Sequence, residues 1–111
     1  MANVRIAVAG ISGRMGRALL EAVLGSADLK LGAALEVAGN MHIGKDAGEF
    51  VAAPCGVEIS AGVEASLAGC GVLIDFTRPE GTLEHLAVCR TLGVKMVIGT
   101  TGFSDAQKKT I

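Results

Sequence analysis

Apolar residues in this chain gather into short runs, and each run stops at glycine or at a single acid. Val4-Arg-Ile-Ala-Val-Ala9 is nearly continuous and ends at Gly10, which predicts a strand buried on both faces. Beyond it, Met15, Ala18, Leu19, Ala22 and Val23 recur at i, i+3, i+4, i+7 and i+8, one face of a helix that Gly25 would stop as its C′ residue. Leu29 to Leu35 is a second apolar run, closed by Glu36. Residues 37–56 have no clear period and read as a loop holding at most one helical turn. Val57 to Ser60 fits a short strand and Val63 to Ala68 a short helix.

The second half repeats the alternation more sharply. Val72-Leu-Ile-Asp-Phe76 is a strong buried-strand signal. Pro79 suits the first turn of a helix, where its missing N–H costs nothing. That helix is expected to turn Leu83, Leu86 and Ala87 inward and to end at Gly93. Val94 to Ile98 is another strand, with Gly99-Thr-Thr-Gly102 as its exit loop. Ser104-x-x-Gln107 is a capping box that opens a last helix near Asp105. Strands alternating with helices call for an α/β fold, a doubly wound parallel sheet covered on both faces. The last helix stops after two turns, which suggests the front part of a longer protein.

Composition narrows the classes. At 111 residues the chain holds one domain at most, long enough to bury a core without staples. Its sixteen glycines are roughly twice the usual share and are spread along the chain, as turns between short elements would be. A net charge of −1 argues against a general affinity for nucleic acid or for a membrane surface. Three Phe with no Trp or Tyr offer no stacking platform for single-stranded bases. Cys55, Cys70 and Cys89 are odd in number and lack C-x-x-C spacing, so they read as reduced core thiols of a cytosolic protein. His42 and His85 have no second ligand at metal spacing and read as surface or packing residues. No metal is expected.

Candidate chemistry starts at A-G-I-S-G-R-M-G-R, residues 9–17. Gly10, Gly13 and Gly16 follow the first strand and open the first helix. In G-x-G-x-x-G the same three tasks fall to a tight turn, a close backbone approach to a pyrophosphate, and close packing of helix on strand. Here the middle glycine comes one residue later. A helix N-terminus of this kind binds phosphate through free N–H groups. Glu36 lies 20 residues after Gly16 at the end of the next strand, where a carboxylate accepts hydrogen bonds from ribose hydroxyls. Together these predict a Rossmann-type dinucleotide site. Ser12 is expected to bond a phosphate or the backbone, since G-x-S-x-G is absent. Asp75–Pro79 and Gly99–Gly102 both leave strands at their carboxyl ends and should face the same crevice.

Four stretches carry a closer resemblance: V-A-G-x-x-G-R-M-G-R (8–17), G-A-A-L-E (32–36), D-F-T-R-P-E-G-T (75–82) and M-V-I-G-T-T-G-F (96–103). In these the chain resembles the dihydrodipicolinate reductase family of diaminopimelate and lysine biosynthesis. The resemblance spans essentially all 111 residues. It implies a single truncated domain, residues 1–111, that binds NADH or NADPH, from a cytoplasmic enzyme reducing hydroxy-tetrahydrodipicolinate to tetrahydrodipicolinate with loss of water. By the family's motif, Gly10, Ile11, Ser12, Gly13, Arg14 and Met15 would hold the pyrophosphate and Glu36 the adenine ribose. Phe76, Thr77, Arg78 and Gly81 would line the cofactor path. Gly99, Thr100 and Thr101 would lie beside the nicotinamide, with Thr101 also touching the substrate's carboxylate.

The chain departs from the family in two ways. Val37 stands where many members carry the arginine that meets a 2′-phosphate, so NADH is favoured over NADPH, although Arg14 offsets part of the lost charge. The family's histidine-rich general-acid motif, catalytic lysine, most dicarboxylate-substrate contacts and tetramer interface belong to a C-terminal domain outside these residues. No catalytic residue is therefore expected in this chain, which would bind cofactor without turnover. Two other readings compete. A nucleotide-sugar epimerase shares the glycine spacing but needs a Tyr-x-x-x-Lys pair, and there is no Tyr. A nucleotide- or CoA-binding module of a regulator or ligase would carry a partner segment that is not visible.

Overall fold

A computed structural model describes residues 4–51, 55–100 and 102–111. The elements run β1 (Val4–Ala9), α1 (Arg14–Leu24), β2 (Leu29–Leu35), a 3-10 turn (Ala47–Val51), β3 (Ile59–Ser60), α2 (Val63–Leu67), β4 (Val72–Asp75), α3 (Pro79–Leu92), β5 (Lys95–Ile98) and α4 (Asp105–Thr110). The strands form one five-stranded sheet in the order β3-β2-β1-β4-β5, and every pairing is parallel. The order reverses at β1. The carboxyl ends of β1 and β4 therefore flank a switch point, the place where such sheets hold ligands.

Each side of the sheet has its own core. Ile6, Val8, Leu31 and Ala34 pack with Leu20 and Val23 of α1. Ala7, Ala9, Leu35 and Leu73 pack with Leu67 of α2 and Cys89 of α3. The alternation of β1 residues between the two clusters is the period-2 signature of a strand covered on both faces. β1 and β2 slip register between Ile6 and Ala7, so that Gly32 is passed over and Leu35 falls opposite Ala9. A Cβ at Gly32 would come within 2.9 Å of Cys70 Sγ.

Two helices turn a different face inward from the one their apolar periodicity predicts. In α1 the buried residues are Gly16, Leu20 and Val23, while Met15 is half exposed and Ala18 and Ala22 face solvent. The cause is Gly16: a Cβ there would lie 2.2 Å from the Gly10 carbonyl oxygen, so this position is pressed against the turn and fixes the helix's rotation. In α3 the buried residues are Thr82, His85 and Cys89, whereas Leu83 and Leu86 are half-buried and Ala87 is exposed. Hydrogen bonds draw that polar face in. Gly25 does stop α1, but as a right-handed C-cap with φ −84° rather than a left-handed C′ residue. Gly93 ends α3 at φ 73°, in the left-handed conformation. The capping box at Ser104 and Gln107 is present in both directions. β3 is only two residues long, half the stretch its sequence suggests.

Candidate functional site

The turn after β1 is built almost entirely from backbone. Gly10 has φ +82°, and a Cβ on it would meet the Phe76 carbonyl oxygen at 2.4 Å. Gly10 N–H donates to the Leu35 carbonyl at 3.0 Å, and Gly13 N–H donates to the Gly10 carbonyl at 3.0 Å. Gly13 is the N-cap of α1, and no side chain caps that end. The first turn of this 11-residue helix thus starts without a side-chain cap, beside the crevice that Ser12 and Gly13 line. Gly10 and Gly16 are demanded by the protein's own packing. Gly13 is not: a Cβ there meets only Gly10 O, at 3.3 Å.

Glu36 lies across the sheet edge from this turn. Its Oε2 accepts the Ser12 N–H at 2.9 Å and the Ser12 hydroxyl, and its Oε1 accepts the Val37 N–H at 3.3 Å. The Ser12 hydroxyl bonds a carboxylate 24 residues away, because the strand order places β2 beside β1 with both ends level. Val37 is 65% exposed, with no basic side chain in its place.

The second wall comes from β4 and β5, and it is held by side chains. Asp75, the last residue of β4, is wholly buried. Its Oδ2 lies 3.0 Å from Nδ1 of His85, and its Oδ1 accepts the Thr77 hydroxyl at 2.7 Å. Thr77 N–H donates to Thr100 Oγ1 at 2.9 Å, and the Thr82 hydroxyl donates to the same oxygen at 2.8 Å. This bond joins the two loops that the sequence assigned to one crevice. Of the two places expected for His85, surface or packing, the structure gives packing: it is buried on α3 and bonded to Asp75. Nothing in the spacing of Asp75 and His85 signals their pairing, since α3 must first dock on the sheet.

Phe76 and Gly99 are matched by shape, for a Cβ at Gly99 would lie 2.1 Å from the Phe76 ring. Gly81 gives Thr77 room in the same way, with a contact of 3.1 Å. A crevice of about 630 Å³ is lined by Gly10, Ser12, Gly13, Glu36, Phe76 and Arg78, among others. That volume suits a cofactor-sized ligand. Ile11 is buried beneath the turn, while Arg14 and Met15 lie on its exposed side. Thr101, the expected substrate contact, lies outside the described residues. A second hollow of about 610 Å³ follows the Leu29–Ala33 stretch of β2, away from the carboxyl ends of the strands.

The remaining titratable groups have local structural roles. Asp46 accepts N–H groups from Gly48, Cys55 and Gly56 and the Cys55 thiol. The Cys55 and Gly48 N–H groups lead in holding its carboxyl down at about 2. Burial raises the thiols of Cys55, Cys70 and Cys89, so none is an activated thiolate at neutral pH. Cys70 and Cys89 are core residues, whereas Cys55 is half-buried. Among the described residues no group of three His, Cys, Asp or Glu could hold a metal ion.

The family model described as dihydrodipicolinate reductase, N-terminus, matches residues 4–111. A protein of Nitrosospira multiformis named 4-hydroxy-tetrahydrodipicolinate reductase is 57% identical over 111 residues, covering 100% of this chain and 41% of that protein. A protein of the same name from Nitrosomonas europaea is 55% identical with the same coverage. The solved structure of a dipicolinate-bound dihydrodipicolinate reductase from Paenisporosarcina sp. TG-14 superposes with a TM-score of 0.75 at 27% identity, over 96% of this chain and 41% of that one. The chain thus spans about two-fifths of the length of the relatives it matches. With the match running from the first described strand to the last residue, the chain belongs to the dihydrodipicolinate reductase family, to its N-terminal part.

Proposed function

We propose that the crevice binds NADH or NADPH, and that in the longer protein this serves reduction of 4-hydroxy-tetrahydrodipicolinate to tetrahydrodipicolinate with loss of water. The observation that carries the reading is the uncapped α1 N-terminus, opening beside Glu36 at the switch point of a parallel sheet. The residues fit the group. The N–H groups after Gly13 meet a pyrophosphate, and the absence of a side chain at Gly13 clears the approach. A ribose comes up to a carboxylate already oriented by Ser12. Gly99 packs behind Phe76 and Thr100 holds Thr77, two residues that line the crevice; the nicotinamide would lie on this side, and Thr101 completes that loop in sequence. Bound there, the nicotinamide supplies the hydride. This chain's own residues hold and orient it. The chain spans about two-fifths of its relatives' length, and the 111 residues alone are expected to bind the cofactor without turnover.

NADH is the favoured partner. Glu36 repels a 2′-phosphate, and Val37 brings no cation to offset it. One missing charge-assisted hydrogen bond is worth about 1.5–3 kcal/mol. Fluorescence titration of the purified chain with both reduced cofactors tests the reading. Binding of both, NADH more tightly, is expected. Tenfold tighter NADPH would overturn the preference, and binding of neither would overturn the assignment of the crevice.

A further inference from the structure

Three donors converge on the Glu36 carboxylate at the rim of the crevice. Ser12 gives Oε2 both its N–H, at 2.9 Å, and its hydroxyl, and the Val37 N–H lies 3.3 Å from Oε1. Backbone N–H groups and a hydroxyl turned on one place are what an anion site is made of. Here the anion is the chain's own side chain. The backbone that carries these donors is tied down without it. The Gly10 and Ile11 N–H groups both donate to the Leu35 carbonyl, at 3.0 and 3.3 Å, and the Glu36 N–H donates to the Ser60 carbonyl at 3.0 Å. The donors therefore keep their places if the carboxylate is removed. The surroundings offer little else to a second anion. Among the described residues lining the crevice, Glu80 and Glu84 join Glu36 as acids, and Arg78 is the one basic side chain.

We infer that Glu36 fills an anion cradle formed by Ser12 and the Val37 N–H, that this occupancy excludes the 2′-phosphate of NADPH, and that Ser12 is thereby a specificity-determining residue. The inference rests on the crevice being the dinucleotide site, with the adenine ribose at Glu36. The Ser12 hydroxyl has one hydrogen, and it is given to Glu36. With the carboxylate in place, a ribose 2′-OH meets an acceptor. A 2′-phosphate meets a like charge and finds the nearest donors taken. With the carboxylate removed, the same three donors face the space it left, and a phosphate is a group that can use all of them. Ser12 thus acts in opposite directions in the two cases. It holds Glu36 for the ribose when Glu36 is there, and it serves the phosphate when Glu36 is gone.

The test is a double-mutant cycle read by calorimetric titration of the 111-residue chain with NADH and NADPH, which differ only in the 2′-phosphate. Glu36→Ala should weaken NADH about fivefold and tighten NADPH about tenfold, making NADPH the better ligand. Glu36→Ser empties the cradle in the same way if Glu36→Ala does not fold. Adding Ser12→Ala to either should take back about fivefold of the NADPH gain and leave NADH within about twofold. Ser12→Ala alone should do the reverse, weakening NADH about threefold and leaving NADPH within about twofold. An equal NADPH gain with and without the Ser12 hydroxyl would mean that charge repulsion alone sets the preference, and it overturns the inference. So does a Ser12→Ala chain that loses both cofactors alike whether or not Glu36 is present, since that is the mark of a merely structural residue. A wild-type chain that binds neither cofactor overturns the reading of the crevice itself.

Discussion

The two walls of the crevice solve the same problem with different materials. The wall after β1 is made of glycine backbone, an uncapped helix end and one carboxylate at its rim. The wall after β4 and β5 is made of side chains that bond one another across 18 residues of sequence. Backbone donors are fixed by the chain's path, so the first wall survives most side-chain changes but not a Cβ in the wrong place. Side-chain donors are fixed by their partners, so the second wall depends on each member of its group. The first leaves its helix end without a side-chain cap, while the second has spent its polar groups on itself.

The most severe way to break this contrast is Asp75→Ala. It leaves the buried His85 imidazole without its carboxylate partner and takes the shorter acceptor from the half-buried Thr77 hydroxyl. Removing one partner of such a pair costs about 3–5 kcal/mol. Urea unfolding should show that loss. In whatever fraction remains folded, the Ser12 and Glu36 amide resonances should stay near their wild-type positions. If they move as far as Thr77 does, the two walls are coupled and the contrast fails.

A finer test separates glycines within the first wall. Gly16→Ala drives a Cβ to 2.2 Å from Gly10 O and should cost about 2–3 kcal/mol, since neither backbone can retreat from the strand–helix junction. Gly13→Ala meets one atom at 3.3 Å and should cost under about 1 kcal/mol. Its effect belongs to the ligand: NADH affinity should fall about tenfold or more, because the new methyl stands where a pyrophosphate must come close. Thermal or urea unfolding beside a cofactor titration reads both quantities. A Gly13→Ala chain that binds NADH like wild type would remove the reason for a glycine there.

The same contrast explains what the sequence disclosed. The strands, the turn and the place of Glu36 at the end of β2 were legible because spacing along one chain encodes them. So were the helix ends at Pro79, Gly93 and Ser104, which are local. The inward faces of α1 and α3 were not. Apolar periodicity points to Met15 and Leu83, but Gly16 is pressed onto Gly10, and Thr82 and His85 are drawn onto Thr100 and Asp75. Both corrections come from contacts that exist only once the helix has docked. Ser12 belongs with them: its partner, Glu36, is 24 residues away and becomes a neighbour only through the pairing of β1 with β2.

Asp46 gives the smallest and cleanest test, because it is a carboxylate held in the manner of the first wall. Three backbone N–H groups, from Gly48, Cys55 and Gly56, converge on it and favour its charged form. Its carboxyl is lowered from 3.8 to about 2. A depressed folded value means that this group adds stability above its unfolded value, and that the contribution is lost as pH falls from about 3.8 towards about 2. The group is half-buried and its partners all lie between Gly48 and Gly56, so the loss should be local to the loop after β2 rather than global. In an NMR titration the Gly48 and Gly56 amide resonances should move together with a midpoint near 2. Asp46→Asn should abolish that step and leave Thr77 and Ser12 unmoved. A midpoint at the ordinary carboxylate value would mean that converging N–H groups do little for an anion on this fold, and it would weaken the case for the α1 N-terminus as well.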